Sequence, residues 1–166
     1  TSLTSKGAAA IQSNGNTEGL DLTIAGTVVS DGDVAVYLPQ VEKCTVASTA
    51  EITGVTGIEI RAGELVVEDG AEISAGNEFE AKANGNGSTV KGAAIAASAH
   101  STNLPLSVTI NGGTFNCAYA LYETYLESAE RTAKTTLAVK GGTFNAPIFS
   151  KNCEGFITGG TFAKAV

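Results

Sequence analysis

The string Gly-Gly-Thr-Phe occurs three times, at Gly112–Phe115, Gly141–Phe144 and Gly159–Phe162, and constrains the fold more than any other feature of the chain. Each copy follows a short stretch of alternating character: Val108-Thr109-Ile110, Leu137-Ala138-Val139 and Phe156-Ile157-Thr158. The first two copies run on into Asn116 and Asn145. Upstream the pattern is degenerate but readable. Leu22-Thr23-Ile24 leads to Gly26-Thr27-Val28, Cys44-Thr45-Val46 to Ala50-Glu51-Ile52, and Leu65-Val66-Val67 to Ala71-Glu72-Ile73. A third element, a small residue followed by an aliphatic one, recurs at Ala10-Ile11, Ala35-Val36, Gly57-Ile58, Ala94-Ile95, Ala120-Leu121 and Pro147-Ile148.

A repeat this short cannot bury its own apolar face, so repeats must stack on one another. The alternation has a period of two, which argues for strands and against helical repeats. A propeller blade of roughly 40 residues is too long, and the leucine-rich pattern is missing. The expected fold is all-β: a right-handed parallel β-helix, or solenoid, of about six coils, forming one domain over residues 1–166. Strands of successive coils would then pair about 4.8 Å apart, with equivalent side chains in columns. Phe115, Phe144 and Phe162 should form an interior column continued by Val28, Ile52 and Ile73. Ile110, Val139 and Ile157 should form another with Ile24, Val46 and Val67. Thr27, Thr114, Thr143 and Thr161 should face outward in a row interrupted by Glu51 and Glu72. The glycine pairs suit corners that need positive φ.

Two stretches break the period. Residues 76–89 contain Asn84-Gly85-Asn86-Gly87, carry turn chemistry, and read as a loop insertion. Within residues 122–134, Tyr122, Tyr125, Leu126, Ala129 and Ala133 share a helical face, and Glu127 with Arg131 and Glu130 with Lys134 stand four apart. The spacing predicts a short amphipathic helix there.

Hydrophobic residues make up 43% of the chain and are spread evenly, which excludes disorder. The net charge is -7 and the ten Lys and Arg are scattered, which excludes a nucleic-acid footprint. No apolar run approaches the roughly 20 residues of a membrane span. Cys44, Cys117 and Cys153 have no zinc spacing and read as small apolar residues, with a Cys117–Cys153 pairing left open.

Catalytic signals are weak. Asp31-Gly32-Asp33 sits in a turn. Glu59 and Arg61 alternate with Ile58 and Ile60 and should form an exposed ion pair on the outer face, worth little. His100, the one histidine, lies in a polar connection with no Gly-x-Ser-x-Gly elbow anywhere. The phosphate-loop and calcium-solenoid patterns are absent. The chain reads as no enzyme, with no catalytic, cofactor or metal residues.

The Gly-Gly-Thr-Phe turns, preceded by a Val-x-Ile strand and followed by Asn or Ala and an aliphatic pair, resemble the "GGTF" solenoid repeats of large surface proteins from Gram-positive bacteria. More distantly they resemble the pectate-lyase-like β-helix superfamily. The strong resemblance covers about Val108 to Val166. It implies an extracellular, cell-surface place and a structural or adhesive role as a piece of a larger protein. Its partners would be a host or polymer glycan or a protein, with flanking domains of the same parent chain, or end-to-end self-stacking, covering the ends. The alternative is a carbohydrate-binding module using Tyr37, Tyr119, Tyr122 and Tyr125. A polysaccharide lyase or hydrolase ranks last, because the Asn-Thr-Asp, Asp-Asp and Gly-His-Gly pattern of polygalacturonases is missing.

Overall fold

A computed structural model describes residues 1–15, 18–82, 87–99, 104–125 and 133–163. Those residues form eighteen strands in three sheets of ten, six and two strands, and the two large sheets are parallel throughout. The repeats set the pairing. In the ten-stranded sheet, Ile24 pairs with Val46, Val46 with Val67, Val67 with Ile110, and Ile110 with Val139, which bridges to Ile157. A second row runs Leu3, Val28, Ile52, Ile73, Phe115, Phe144, Phe162. The six-stranded sheet carries the third row: Ile11, Val36, Ile58, Ile95, Leu121, Ile148. Apart from Leu3, which is exposed, these rows point into one core, where Ile52, Ile58, Leu65, Ile73, Ile95, Ile110, Phe115 and Phe144 have essentially no solvent exposure.

The three phenylalanines lie as stacked plates. Phe115 and Phe144 have centroids 4.9 Å apart, Phe144 and Phe162 4.8 Å, each pair with an interplanar angle of 7°. The glycines before them have two separate reasons. The second of each pair, at Gly113, Gly142 and Gly160, has φ of 106°, 117° and 122°, a region closed to most side chains. The first is a matter of space: a Cβ on Gly112, Gly141 or Gly159 would come within 2.2–2.7 Å of Asp69, of the Asn111 carbonyl or of the Lys140 carbonyl. The ten-stranded sheet forks where these corners begin. Lys43–Thr53 is one strand, pairing by its first half with Gly63–Val67 and by its second with Glu72–Ser74.

Two sequence expectations need correction. Tyr122–Tyr125 is no part of a helix; it ends the strand Tyr119–Tyr125, held in register with Ala96–Ala99. Local helical spacing lost there to ladder hydrogen bonds and to burial of Leu121 and Glu123. The rest of the predicted helix falls mostly on residues 126–132, outside the described residues. The insertion expected at 76–89 is also more than loop. Glu80–Ala81 pairs antiparallel with Val90–Lys91, forming the two-stranded sheet. The insertion leaves and returns at one point, since the Gly76 and Gly92 amides both donate to the Val55 carbonyl, at 3.3 and 2.9 Å. The next repeat closes over this base through the Ala118 amide, which reaches the carbonyls of Gly76 and Gly92. Gly76 and Gly92 thus lie side by side, and Ser88, Thr89 and Val90 between them reach Thr56 and Glu59 of the six-stranded sheet.

Candidate functional site

The insertion lies on the outer face of the six-stranded sheet. Along that face run Tyr37, Glu59, Ala96, Tyr122 and Phe149, one per repeat, in register. Glu59 was expected in water; instead Glu59 and Arg61 are 0% and 2% exposed. Alternation correctly turned them away from the core, but the insertion covers them. Glu59 is an acceptor with its shell filled. Its Oε2 takes hydrogen bonds from Ser88 Oγ (2.6 Å) and the Thr89 amide (3.0 Å), and its Oε1 from Thr89 Oγ1 (2.8 Å) and Ser98 Oγ (2.6 Å). Arg61 Nε stands 3.7 Å from Glu59 Oε1, and its NH2 group donates to Thr89 Oγ1 at 3.3 Å. A buried carboxylate left unpaired would be costly, and these donors offset that cost. The Thr56 hydroxyl adds a bond to the Val90 carbonyl. The arrangement clamps residues 88–90 to the sheet.

Tyr37 lies under the same cover, 6% exposed, with the Arg61 guanidinium 5.7 Å from its ring centroid. Burial pushes its phenol above the ordinary value, partly offset by the Arg61 charge. Tyr37 therefore offers no surface to a ligand. Tyr125 points inward, packing against the main core, with Lys151 Nζ 5.8 Å from its ring. Of the four tyrosines expected at a ligand surface, the structure brings together Tyr119 and Tyr122, with centroids 5.6 Å apart. Two phenylalanines join them. Phe79, at the root of the insertion, lies 4.5 Å from Tyr119 and 4.8 Å from Tyr122. Phe149 stacks on Tyr122 at 5.1 Å. Phe79 and Phe149 are 37% and 41% exposed, two of the three large hydrophobic side chains so exposed among the described residues. The tyrosines are half-buried over Val90, Ala93 and Ala96. Burial, then the neighbouring Tyr119 hydroxyl, raise the Tyr122 phenol above its usual range.

Sequence reasoning missed both phenylalanines. For Phe149 a signal existed, because Pro147-Ile148-Phe149 aligns with Ala120-Leu121-Tyr122 in the repeat. For Phe79 there was none, since it lies in aperiodic chain.

Two other carboxylates hold the backbone of nearby turns. Glu123, fully buried at the end of the inward row, accepts from Ser150 Oγ, the Lys151 and Asn152 amides and Asn152 Nδ2 at 2.8–2.9 Å, and so holds the turn at 150–152. Asp33 Oδ1 accepts from the Val34 amide and fixes its own turn. His100 lies outside the described residues. Cys44, Cys117 and Cys153 are free thiols. Burial pushes the first two up to about 12 and about 11 and raises Cys153. Cys117 and Cys153 donate instead to the carbonyls of Tyr119 and Thr135. Among the described residues no three His, Cys, Asp or Glu stand where they could hold a metal ion. A crevice of about 70 Å³ runs between Asp33, Thr56 and the insertion. A more open cleft of about 380 Å³ lies beside Phe149, between Ile148, Cys153, Phe156 and Ile157.

No protein family, curated protein or solved structure matches the chain.

Proposed function

We propose that the chain is a right-handed parallel β-helix of about six coils that serves as a non-catalytic structural and adhesive module of an extracellular bacterial surface protein. The observation that carries this reading is the in-register succession of like side chains in three parallel rows, with the Phe115, Phe144 and Phe162 rings stacked at 4.8–4.9 Å. A side-chain column of this kind forms where each repeat lies directly on the last. The right hand follows from the general handedness of parallel crossovers. Cell-surface placement rests on the resemblance of the Gly-Gly-Thr-Phe repeats.

The chemistry of the carboxylates supports a non-catalytic role. Glu59 and Glu123 are each occupied in holding a neighbouring segment. Limited proteolysis tests the scaffold: cleavage should spare the strands Leu106–Ile110, Thr114–Asn116, Thr135–Val139 and Thr143–Phe144. Rapid cutting within Thr114–Asn116 or Thr143–Phe144 would overturn it. Release of reducing or unsaturated sugar ends from pectin or polygalacturonate would overturn the non-catalytic part. A second reading, carbohydrate binding, is favoured by the ring cluster at Tyr122.

A further inference from the structure

The outer face of the six-stranded sheet divides at Ala96. On one side it is sealed by residues 88–90 over Glu59 and Arg61. On the other it presents the four rings of Phe79, Tyr119, Tyr122 and Phe149, at centroid distances of 4.5–5.6 Å. We infer that this ring cluster is a binding surface for a neutral saccharide, an inference that rests on the adhesive-module reading above and gives it a ligand class and a place.

Three observations choose this occupant. The first is size. Aromatic side chains carry about 150–250 Å² each, so the uncovered part of these four is on the order of 200–300 Å². A stable protein interface needs about 800 Å² per partner; one or two sugar rings need no more than the cluster offers. The second is charge. The four rings carry no charge, the charges that reach Tyr122 from Lys151 and Glu123 are opposite in sign, and the chain carries a net -7, so a nucleic acid or an acidic polymer gains little there. The third is ring chemistry. Aromatic faces are negative and attract polarised C–H groups, which line the faces of a pyranose. The rings are tilted by 57–67° around Tyr119 and Tyr122, giving a faceted surface. The Tyr119 and Tyr122 rings, with centroids 5.6 Å apart, carry two phenol hydroxyls that can serve the sugar hydroxyls.

The Glu59 clamp fixes one wall of the site. Phe79 stands next to the strand Glu80–Ala81, which is held by Val90–Lys91, which the clamp binds to the sheet. Loosening the clamp should therefore weaken binding without touching a ring.

The test is saturation-transfer NMR on the full chain with neutral β-glucan, mannan and galactan oligosaccharides, and hyaluronan as the anionic probe. At least one neutral probe should receive saturation. The double variant Phe79→Ala/Phe149→Ala should lose at least about tenfold in affinity with an unchanged circular dichroism spectrum and a cooperative melt at slightly lower temperature, since each ring is more than a third exposed. Ser88→Ala, one clamp donor removed, should lose less. No transfer to any neutral probe, binding by the double variant equal to the parent, or transfer to hyaluronan alone would each overturn the inference. If the rings fail this test while the protease pattern above holds, the scaffold reading survives alone. If the protease pattern fails, that reading falls whatever the sugars do.

Discussion

The outer faces of the two large sheets follow the same alternation and end in opposite environments. On the ten-stranded sheet the outward row Thr27, Glu51, Glu72, Thr114, Thr143, Thr161 is exposed or half-exposed. Its contacts are the slight ones of a solvated surface, such as Thr27 Oγ1 to Glu51 at 3.2 Å or Asn145 to Asn116 at 2.8 Å. On the six-stranded sheet the matching row contains Tyr37, Glu59 and Ala96, all buried, before it emerges at Tyr122 and Phe149. All four tyrosines of the chain lie on strands of this second sheet. An alternating strand decides only which side a residue faces. Whether that side meets water is decided by chain inserted elsewhere, here the excursion between Gly76 and Gly92.

The largest expected effect separates two glutamates. Glu59→Ala leaves Arg61 buried without its carboxylate and removes the acceptor for Ser88, Thr89 and Ser98. Breaking a buried ionic pair in this way costs about 3–5 kcal/mol. Glu72→Ala, at an equivalent alternation on the open face, should change stability by less than about 0.5 kcal/mol. It relieves the apposition of Glu51 and Glu72, so a slight gain is expected. Urea unfolding of both variants measures the contrast. Equal losses would mean that the insertion does not seal the face.

The sequence was most readable where two independent rules agree. At Phe115, Phe144 and Phe162 the repeat sets the register and the alternation sets the face, so the column could be named residue by residue. At Glu59 the face was legible and the burial was not. The donors that satisfy it, Ser88 and Thr89, lie 29 and 30 residues away in a stretch without period. Tyr122–Tyr125 failed for a related reason. Its i,i+3 spacing was real, but the parallel ladder with Ala96–Ala99 decides the conformation, and a local window cannot see a partner 26 residues earlier in register. The ring cluster was half legible: Tyr119 and Tyr122 were named, Phe79 was beyond reach, and Tyr37 was counted as surface because its cover was unknown.

A smaller effect should appear with paired alanines. Ala96 is 0% exposed, flanked in register by Glu59 and Tyr122, and lies under Val90. Ala138, on the open face beside Thr109, is half-buried. Ala96→Leu forces extra volume into a closed seam and should cost about 1–3 kcal/mol. Ala138→Leu should stay within about 0.5 kcal/mol. Thermal melts of the two variants read the difference, and a neutral Ala96→Leu would show a face with room to spare.

The smallest effect is confined to alkaline solution and singles out Tyr37. Its phenol is raised from 10.0, chiefly by burial, although the Gly87 amide and the Arg61 charge pull the other way. The folded state therefore holds this proton more tightly than the unfolded chain does. The stability this contributes is complete below about pH 10 and drains away as pH climbs through the raised value. Cys44, pushed up to about 12 by burial, contributes with the same sign. Urea midpoints measured between about pH 8 and pH 11 should hence fall more steeply for the parent than for Tyr37→Phe. The two proteins should differ least at the neutral end. Parallel curves would mean that water reaches Tyr37 beneath the insertion, and the covered face would then be no drier than the open one.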